Sequence, residues 1–246
     1  MKIVDAYWEK RNLGIDTKEI TIESTDSIAE LKKTLNFLKD DIKQYIVVKL
    51  PIGKPESIQL LTEFGFIFTE SLFEVSLDLK KYTLPKIFEK FDVMLSCCQI
   101  SSDDDLKRLE KELYKGVFET DRIALNPMFG IEVAAKRYMN WIQDEIKKEA
   151  KIFEIRHKNE ALGFFAIKPL SANKYSVFLA GMYLNKDNAF FGFSILSKSI
   201  EEILKMGGKS IKTHISSNNL SVVRLYAQFG FIPSNICYVM SRISGE

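Results

Sequence analysis

The amino-acid sequence predicts an α/β (α+β) fold in which a mixed sheet is flanked by helices. Apolar, β-branched runs of strand length alternate with amphipathic runs of helix length, and glycines end several of the helical runs. In the second half of the chain the order is helix, helix, three strands, helix, strand, helix, strand. This order fits a sheet that carries helices on its faces.

The first half of the chain contains a buried strand, a short helix and an alternating strand. The β-branched run KQYIVVKL predicts the buried strand, and the helix after it ends at Gly65. The predicted elements are a strand at 43–50, a helix at 56–66 and a strand at 72–79. The stretch around Pro85 is assigned to neither a helix nor a strand and connects these elements to the rest of the chain. We therefore expect a boundary near residue 92, with an N-terminal domain at 1–92 and a second domain at 93–246.

The second half has clear helix boundaries. Aspartates occupy the first turn of its first helix, where the helix dipole favours them, and Gly116 ends that helix. Gly207 and Gly208 end a later helix in the same way. The predicted strands are 93–100, 152–158, 161–170, 175–184, 210–216 and 234–243. The predicted helices are 103–116, 130–149, 193–206 and 219–229.

Composition excludes several classes of protein. An apolar fraction of 46% and an aromatic fraction of 12% can fill a core, so the chain is not disordered as a whole. The net charge of +2 is too small to argue for nucleic-acid binding. No long apolar stretch or signal peptide is present, so we expect a cytoplasmic protein without a membrane partner. The three cysteines form neither a disulfide framework nor a zinc pattern, and we expect no metal.

One segment occurs twice in related form. LLTEFGFI at 60–67 and LYAQFGFI at 225–232 share Phe-Gly-Phe-Ile in register, and both follow a strand and a short helix. Chance could produce two such turns, but the matched context favours a degenerate duplication. In this alignment Leu61 stands where Tyr226 stands, and Lys54 stands where Asn219 stands. The first copy therefore lacks the polar groups of the second.

Near the C-terminus the chain carries Asn219, Val222, Tyr226 and the pair Gly230-Phe231 at fixed spacings. These spacings resemble the C-terminal pattern of the GNAT superfamily of N-acetyltransferases, and the resemblance covers most of 150–240. Gly192 lies before Gly207, the glycine that ends the next helix. The last glycine of the family's pyrophosphate loop stands at the same distance before the glycine that ends the family's helix. The loop itself departs from the family, because Asp187 replaces the leading Gln or Arg and Phe190 replaces the middle glycine.

The resemblance implies a mostly antiparallel sheet, a smaller degenerate GNAT-like N-terminal domain, and acetyl-CoA as the acyl donor. It implies that the Met182 N–H faces the thioester carbonyl, that Leu184 pairs with the pantetheine, and that Tyr226 is the catalytic acid that protonates the thiolate. The helix after Gly192 would direct its N-terminus at the pyrophosphate. The full set of expected donor-binding residues is Met182, Leu184, Asn188, Ala189, Phe190, Phe191, Gly192, Phe193, Asn219 and Tyr226.

A narrower resemblance concerns the acceptor. Residues 119–145 resemble the Arg…Asp/Asn-Pro…Phe…Ala…Tyr…Trp run of the TDP-fucosamine acetyltransferase group, which acetylates a nucleotide-linked amino sugar. Arg122 and Arg137 are the candidate residues for an anionic acceptor, since guanidinium groups suit phosphates. The general base is not readable from the sequence. Glu154 is one candidate, and a water chain to several carboxylates is an equal alternative.

Purely structural roles stay open for most of these residues. Asn219 can act as a helix cap, for which asparagine is a favoured residue. Tyr226 can be a core tyrosine, and the two arginines can be solvated surface charges. The function predicted is direct acetyl transfer from acetyl-CoA to a primary amine by a monomer or homodimer. The alternatives are a peptide amine as acceptor, or a non-catalytic GNAT-fold protein that binds a ligand or partner.

Overall fold

The computed structural model describes residues 1–38, 43–158, 160–184 and 186–245, and it describes residues 186–189 by their backbone alone. Along these residues strands and helices alternate. The strands form mixed, mostly antiparallel pairings flanked by helices, which confirms the predicted fold class.

The strands are β1 Lys2–Asp5, β2 Asp16–Thr21, β3 Gln44–Pro51, β4 Ile67–Asp78, β5 Leu95–Ile100, β6 Lys151–His157, β7 Glu160–Ser171, β8 Lys174–Met182, β9 Ser210–Ser216 and β10 Ile232–Ser244. The α-helices are α1 Tyr7–Leu13, α2 Ile28–Phe37, α3 Pro55–Glu63, α4 Lys86–Asp92, α5 Asp103–Tyr114, α6 Gly130–Ile146, α7 Ser194–Lys205 and α8 Leu220–Gln228. Two 3-10 helices lie at Leu79–Lys81 and Lys186–Phe193. None of the helices in the described ranges is both long enough and apolar enough to span a membrane.

The chain divides into two compact units. The first unit consists of residues 1–73, 216–218 and 235–246, and the second consists of 74–215 and 219–234. This division places residues 74–92 in the second unit and most of β10 in the first, whereas the sequence predicted one boundary near residue 92. The boundary between two ancestral domains near residue 92 stays a prediction.

The first unit is built on a sheet whose strands come from both ends of the chain. Strand β2 pairs antiparallel with β1 and parallel with β3, and β3 pairs antiparallel with β10. Helices α2 and α3 cover this sheet with their apolar faces. The buried side chains of this core are Ile20, Ile22, Leu31, Leu35, Ile46, Val48, Leu50, Leu60, Leu61, Phe66 and Met240.

The second unit contains an antiparallel run β5–β6–β7–β8, and β9 follows β8 in parallel. Helices α5 and α6 pack on one core of this sheet. Its buried side chains are Ile100, Leu109, Leu113, Ala135, Tyr138, Met139, Ile142, Ile152, Phe164, Ala166, Leu179 and Tyr183. Helix α7 buries Leu196, Ile200 and Ile203.

The repeated Phe-Gly-Phe segments adopt the same conformation. Helix α3 ends at Phe64 with Gly65 at φ +78°, and α8 ends at Phe229 with Gly230 at φ +80°. In both copies the N–H of the second phenylalanine returns to the helix, to Leu61 O at 2.9 Å and to Tyr226 O at 3.1 Å. Both glycines occupy the left-handed region, which explains the shared residue.

The helix starts of the two copies also agree. Lys54 precedes α3 with φ −114° and ψ 67°, and Asn219 precedes α8 with φ −110° and ψ 81°. The connectivity agrees as well, because the β2-α2-β3-α3-β4 and β8-α7-β9-α8-β10 runs both begin with a parallel strand pair. These likenesses favour the duplication that the sequence suggested.

Candidate functional site

Strands β8 and β9 separate soon after they pair. Among the described residues their backbone pairing is confined to Lys174 with Ser210 and Tyr175 with Ile211. Farther along, the Thr213 hydroxyl donates to the Val177 carbonyl at 2.7 Å, so a side chain spans the distance there. Beyond Val177, from Phe178 to Met182, no described strand pairs with this edge, which we call the open edge of β8.

Met182 lies at the end of this edge with its N–H directed away from β7. It stands opposite Gly163, and the next N–H, that of Tyr183, donates to the Leu162 carbonyl at 2.8 Å. In an antiparallel pair, opposed residues alternate between bonded and non-bonded positions. Because Tyr183 is bonded to β7, the Met182 N–H points toward the open edge. This is the orientation that the predicted oxyanion donor requires.

Two glycines hold the end of β8 in close contact with its neighbours. A methyl group at Gly163 would lie 2.5 Å from the Gly181 carbonyl oxygen, and one at Gly181 would lie 2.3 Å from Val117 Cγ1. Real Cβ atoms do not approach other atoms so closely. The close contact with both β7 and the segment 116–129 therefore fixes the backbone around Met182.

A 3-10 helix, rather than an extended loop, connects the end of β8 to α7. It covers Lys186–Phe193 and runs directly into α7, which begins at Ser194. Gly192 lies within it, and a Cβ at this position would meet no atom of the described residues within 4 Å. The predicted donor-binding residues Asn188 and Ala189 belong to this helix, and their side chains lie outside the described part of the structure. Open space thus adjoins Gly192 just before α7.

Aromatic rings from α4 pack on this helix. Phe88 stacks on Phe193 with ring centroids 4.6 Å apart, and Phe91 meets the ring of Phe190 edge-on at 4.6 Å. The Lys198 ammonium of α7 contacts an oxygen of Asp92 at 2.9 Å. Phe190 is 57% exposed, so its ring leans on α4 rather than filling the core.

The other two predicted residues of this region differ in burial. Phe191 is half-buried, and its ring lies 5.1 Å from that of His157. Leu184 is 55% exposed and follows β8, where its Cδ1 lies 3.6 Å from the Cβ position of Gly116. The segment after α5 therefore lies against the end of β8.

Asn219 is a helix cap, as one interpretation of the sequence proposed. Its side-chain oxygen accepts from the Val222 N–H at 3.1 Å, and its Nδ2 donates to the Thr120 hydroxyl at 3.3 Å. Asn219 thus connects α8 to the segment 116–129. Its contact with a donor stays a prediction.

Tyr226 lies on the buried face of α8. It is 7% exposed, and its ring packs 4.7 Å from that of Phe231. Burial raises the pKa of the Tyr226 phenol above its ordinary value of 10. The phenol is therefore protonated at neutral pH, which a proton donor requires.

Of the two arginines predicted for an anionic acceptor, Arg137 lies beside Tyr138. The Arg137 guanidinium carbon lies 5.5 Å from the centroid of the Tyr138 ring. Burial, together with the adjacent Asp121 carboxylate, raises the pKa of Tyr138, and the charges of Arg137 and Arg122 oppose that rise. The Tyr138 ring is thus contacted by the Arg137 guanidinium on its face and by the Asp121 carboxylate at its hydroxyl.

Glu154 is fully buried and saturated with hydrogen bonds. Arg108 donates to both of its oxygens at 3.2 Å, and Arg156 contacts Oε2 at 2.7 Å. The Tyr183 hydroxyl donates to Oε1 at 3.3 Å, and burial raises the pKa of that phenol. With these lone pairs occupied, Glu154 anchors Tyr183, the residue after Met182, and is a poor candidate for the general base. Across the described ranges there is no group of three or more His, Cys, Asp or Glu side chains suited to a metal ion.

The first unit contains the equivalent strands without an open edge. Its parallel pair β2–β3 stays in register over six positions, from Asp16 opposite Gln44 to Thr21 opposite Lys49. Leu61, at the position of Tyr226, is fully buried in the core. The Lys54 ammonium, at the position of Asn219, donates to the carbonyls of Glu23 and Asp26 at 3.0 and 2.8 Å. The open edge is therefore a feature of the second copy.

Sequence reasoning missed several residues of the site. Gly163 and Gly181 lie inside predicted strands, where a glycine can signal a close backbone approach. Asp121 lies within the segment that resembled the amino-sugar acetyltransferases, but its contact with Tyr138 spans a turn that sequence does not determine. Helix α4 is seven residues long and buries none of them, so its apolar pattern is too short to indicate what it packs against.

Comparisons with known proteins agree with the geometry. No family model matches the chain, and no curated protein matches it by sequence. Solved structures do match. A GCN5-related N-acetyltransferase from Sphaerobacter thermophilus has TM-score 0.62 and 8% identity, covering 98% of this chain and 75% of its own.

Two further matches are similar in extent. A GCN5-related N-acetyltransferase from Kribbella flavida has TM-score 0.57 and 12% identity, covering 92% of this chain and 80% of its own. A tandem GNAT protein from the clavulanic acid biosynthesis pathway has TM-score 0.56 and 12% identity, covering 94% and 76%. At such identities the likeness concerns the fold. The chain has the fold of the GCN5-related N-acetyltransferases.

Proposed function

We propose that this protein is an N-acetyltransferase that transfers the acetyl group of acetyl-CoA to a primary amine. The observation that carries the proposal is the open edge of β8, which ends at an outward N–H on Met182. A protein edge with unpaired N–H and C=O groups requires partners. The two amide groups of a pantetheine arm can supply them in the manner of an added strand.

The segment after β8 fits the remainder of the donor. The pyrophosphate is an anion, and the start of a helix favours anions through its unpaired N–H groups and its dipole. Helix α7 has twelve residues, and Gly192 leaves open space beside its start. This space can accept the phosphates, and a bulky side chain at this position would fill it.

The proposed reaction is direct attack in a ternary complex. The neutral amine nitrogen bonds to the thioester carbonyl carbon, and the carbonyl oxygen becomes an oxyanion to which the Met182 N–H donates. The carbon–sulfur bond then breaks, and Tyr226 gives its proton to the sulfur. The proton that the nitrogen loses as the amide forms replaces the one that Tyr226 gave. No acyl-enzyme is required.

For the acceptor we propose a nucleotide-linked amino sugar of the kind used by the TDP-fucosamine acetyltransferase group. The support is the resemblance of residues 119–145, which include both arginines, together with the position of the Arg137 guanidinium over the Tyr138 ring. Guanidinium groups bind the phosphates of such a molecule with bidentate geometry. A cytoplasmic location and a monomer or homodimer remain predictions of the sequence.

Thiol release from acetyl-CoA tests this function. We expect purified protein to release coenzyme A when one amine of a panel is present, and the product to gain the mass of one acetyl group. The panel contains a TDP-linked amino sugar, spermidine and a peptide with a free N-terminus. Each amine is paired with a control in which the nitrogen is already acetylated.

The result also separates the alternatives. If the protein releases coenzyme A with the peptide and with no other amine of the panel, the acceptor is a peptide amine and not an amino sugar. Acetyl-CoA binding without release for any amine would contradict the enzyme and leave the non-catalytic GNAT-fold protein.

A further inference from the structure

Asp121 lies in the segment that connects both sides of the proposed site. Its neighbour Thr120 accepts a hydrogen bond from Asn219 at the start of α8. Phe118, three residues earlier in the same segment, lies 3.5 Å from the Cβ position of Gly181, beside Met182. The carboxylate is therefore carried by a segment that contacts the end of β8 and the start of α8.

The Asp121 carboxylate is held in a fixed position. Its Oδ2 accepts from the Tyr138 hydroxyl at 2.6 Å, and its Oδ1 accepts from the Ile123 N–H at 2.9 Å. An ionised carboxylate can accept about four hydrogen bonds. Two neutral donors thus orient the group and leave half of its acceptor capacity unused.

The charge of Asp121 has no ion-pair partner among the side chains that the structure describes. The residue is half-buried, which makes an unpaired charge less favourable than on the open surface. One aromatic side chain contacts it directly, because Tyr138 donates to its Oδ2, and the Phe118 ring lies 4.2 Å from the Tyr138 ring, centroid to centroid. A carboxylate beside aromatic rings is a favourable environment for an ammonium group.

We infer that Asp121 is the subsite for the ammonium group of the acceptor, and that the acceptor is a primary amine that also carries an anionic group. This inference rests on the proposed function, which supplies the site. Asp121 binds the incoming ammonium by a charge-assisted hydrogen bond, and Arg122 and Arg137 serve the anion. The ammonium loses one proton to solvent before the neutral nitrogen attacks the thioester. The pair of opposite charges selects amines over their hydroxyl analogues.

The inference is tested by calorimetric titration of the amines of the panel, each beside its hydroxyl counterpart, without acetyl-CoA. The wild-type chain is expected to bind one amine about 10- to 100-fold more tightly than its hydroxyl counterpart, the range of one charge-assisted hydrogen bond. In Asp121→Asn, which keeps the size and an acceptor oxygen, this preference is expected to disappear. Equal affinity for amine and hydroxyl in the wild-type chain would overturn the inference without any variant.

Two control variants separate charge from packing. Asp104→Asn removes a carboxylate that is 93% exposed on α5, and it is expected to keep the amine preference. Tyr138→Phe removes the hydroxyl but keeps the charge of Asp121, so most of the preference is expected to remain. An Asp121→Asn chain that keeps the wild-type preference would contradict the subsite.

The same titrations distinguish the inference from the function. Amine preference that depends on Asp121, in a chain that releases no thiol, would retain the subsite and contradict the acetyltransferase. Thiol release together with an amine affinity that does not change in Asp121→Asn would retain the acetyltransferase and contradict the subsite.

Discussion

Replacing Tyr226 with phenylalanine is expected to lower kcat by roughly 10²- to 10⁴-fold, the usual contribution of general-acid catalysis. The substitution removes the hydroxyl that would protonate the departing thiolate. It keeps the ring that packs on Phe231, so the melting temperature and the affinity for acetyl-CoA are expected to stay close to wild type. Steady-state thiol release, with a thermal melt of the same sample, measures both.

Tyr175→Phe is the matched control for this substitution. It also removes a hydroxyl from the second unit, one that donates to the Met206 carbonyl at 3.4 Å, and it is expected to keep its activity. Because burial raises the pKa of Tyr226 above 10, the acid stays protonated through neutral and mildly basic pH. This group is therefore not expected to cause a loss of kcat below pH 10. A Tyr226→Phe chain with wild-type turnover would exclude the tyrosine from the mechanism.

The second large effect is expected at Gly192. Gly192→Trp places a bulky ring in the open space before α7, and the dissociation constant for acetyl-CoA is expected to rise on the order of a hundredfold or more. That size corresponds to the loss of two charge-assisted hydrogen bonds to the pyrophosphate. Calorimetric titration of acetyl-CoA into the variant measures this change.

Gly192→Ala provides the control for that experiment. Its methyl group meets no atom within 4 Å in the part of the chain that the structure describes, and the backbone at Gly192 is not left-handed, so alanine fits without strain. We expect its affinity for acetyl-CoA to stay close to wild type. Equal affinity in the tryptophan and alanine variants would place the donor elsewhere.

The sequence predicted the strand–helix arrangement of the second unit well, because its signals are local. Strand β9 was predicted at 210–216 and is found there, and the cap at Asn219 and the glycine end of α8 follow from residue types alone. The fold class follows from the same signals. The likeness of the two Phe-Gly-Phe turns was visible in the sequence because each turn has one position with a left-handed backbone, and that position requires glycine in both copies.

The remaining features depend on contacts between distant residues. The separation of β8 from β9 has no local sequence signal, since β8 is mostly apolar, β9 alternates between polar and apolar residues, and both have ordinary lengths. The 3-10 helix at Lys186–Phe193 was expected to be a loop, and its rings are ordered by α4, a helix without a buried residue. The hydrogen bond between Asp121 and Tyr138 joins a turn to a helix, which no local pattern reveals.

The central claim is that the chain has one acetyl-CoA site, formed by the second copy of a duplicated arrangement. The first copy has its parallel strands paired over six positions and carries leucine in place of the tyrosine, so it offers no open edge. Calorimetric titration of acetyl-CoA into the wild-type chain tests this most directly. We predict binding in the micromolar range with one molecule per chain. Two molecules per chain, or no binding up to millimolar acetyl-CoA, would contradict the account.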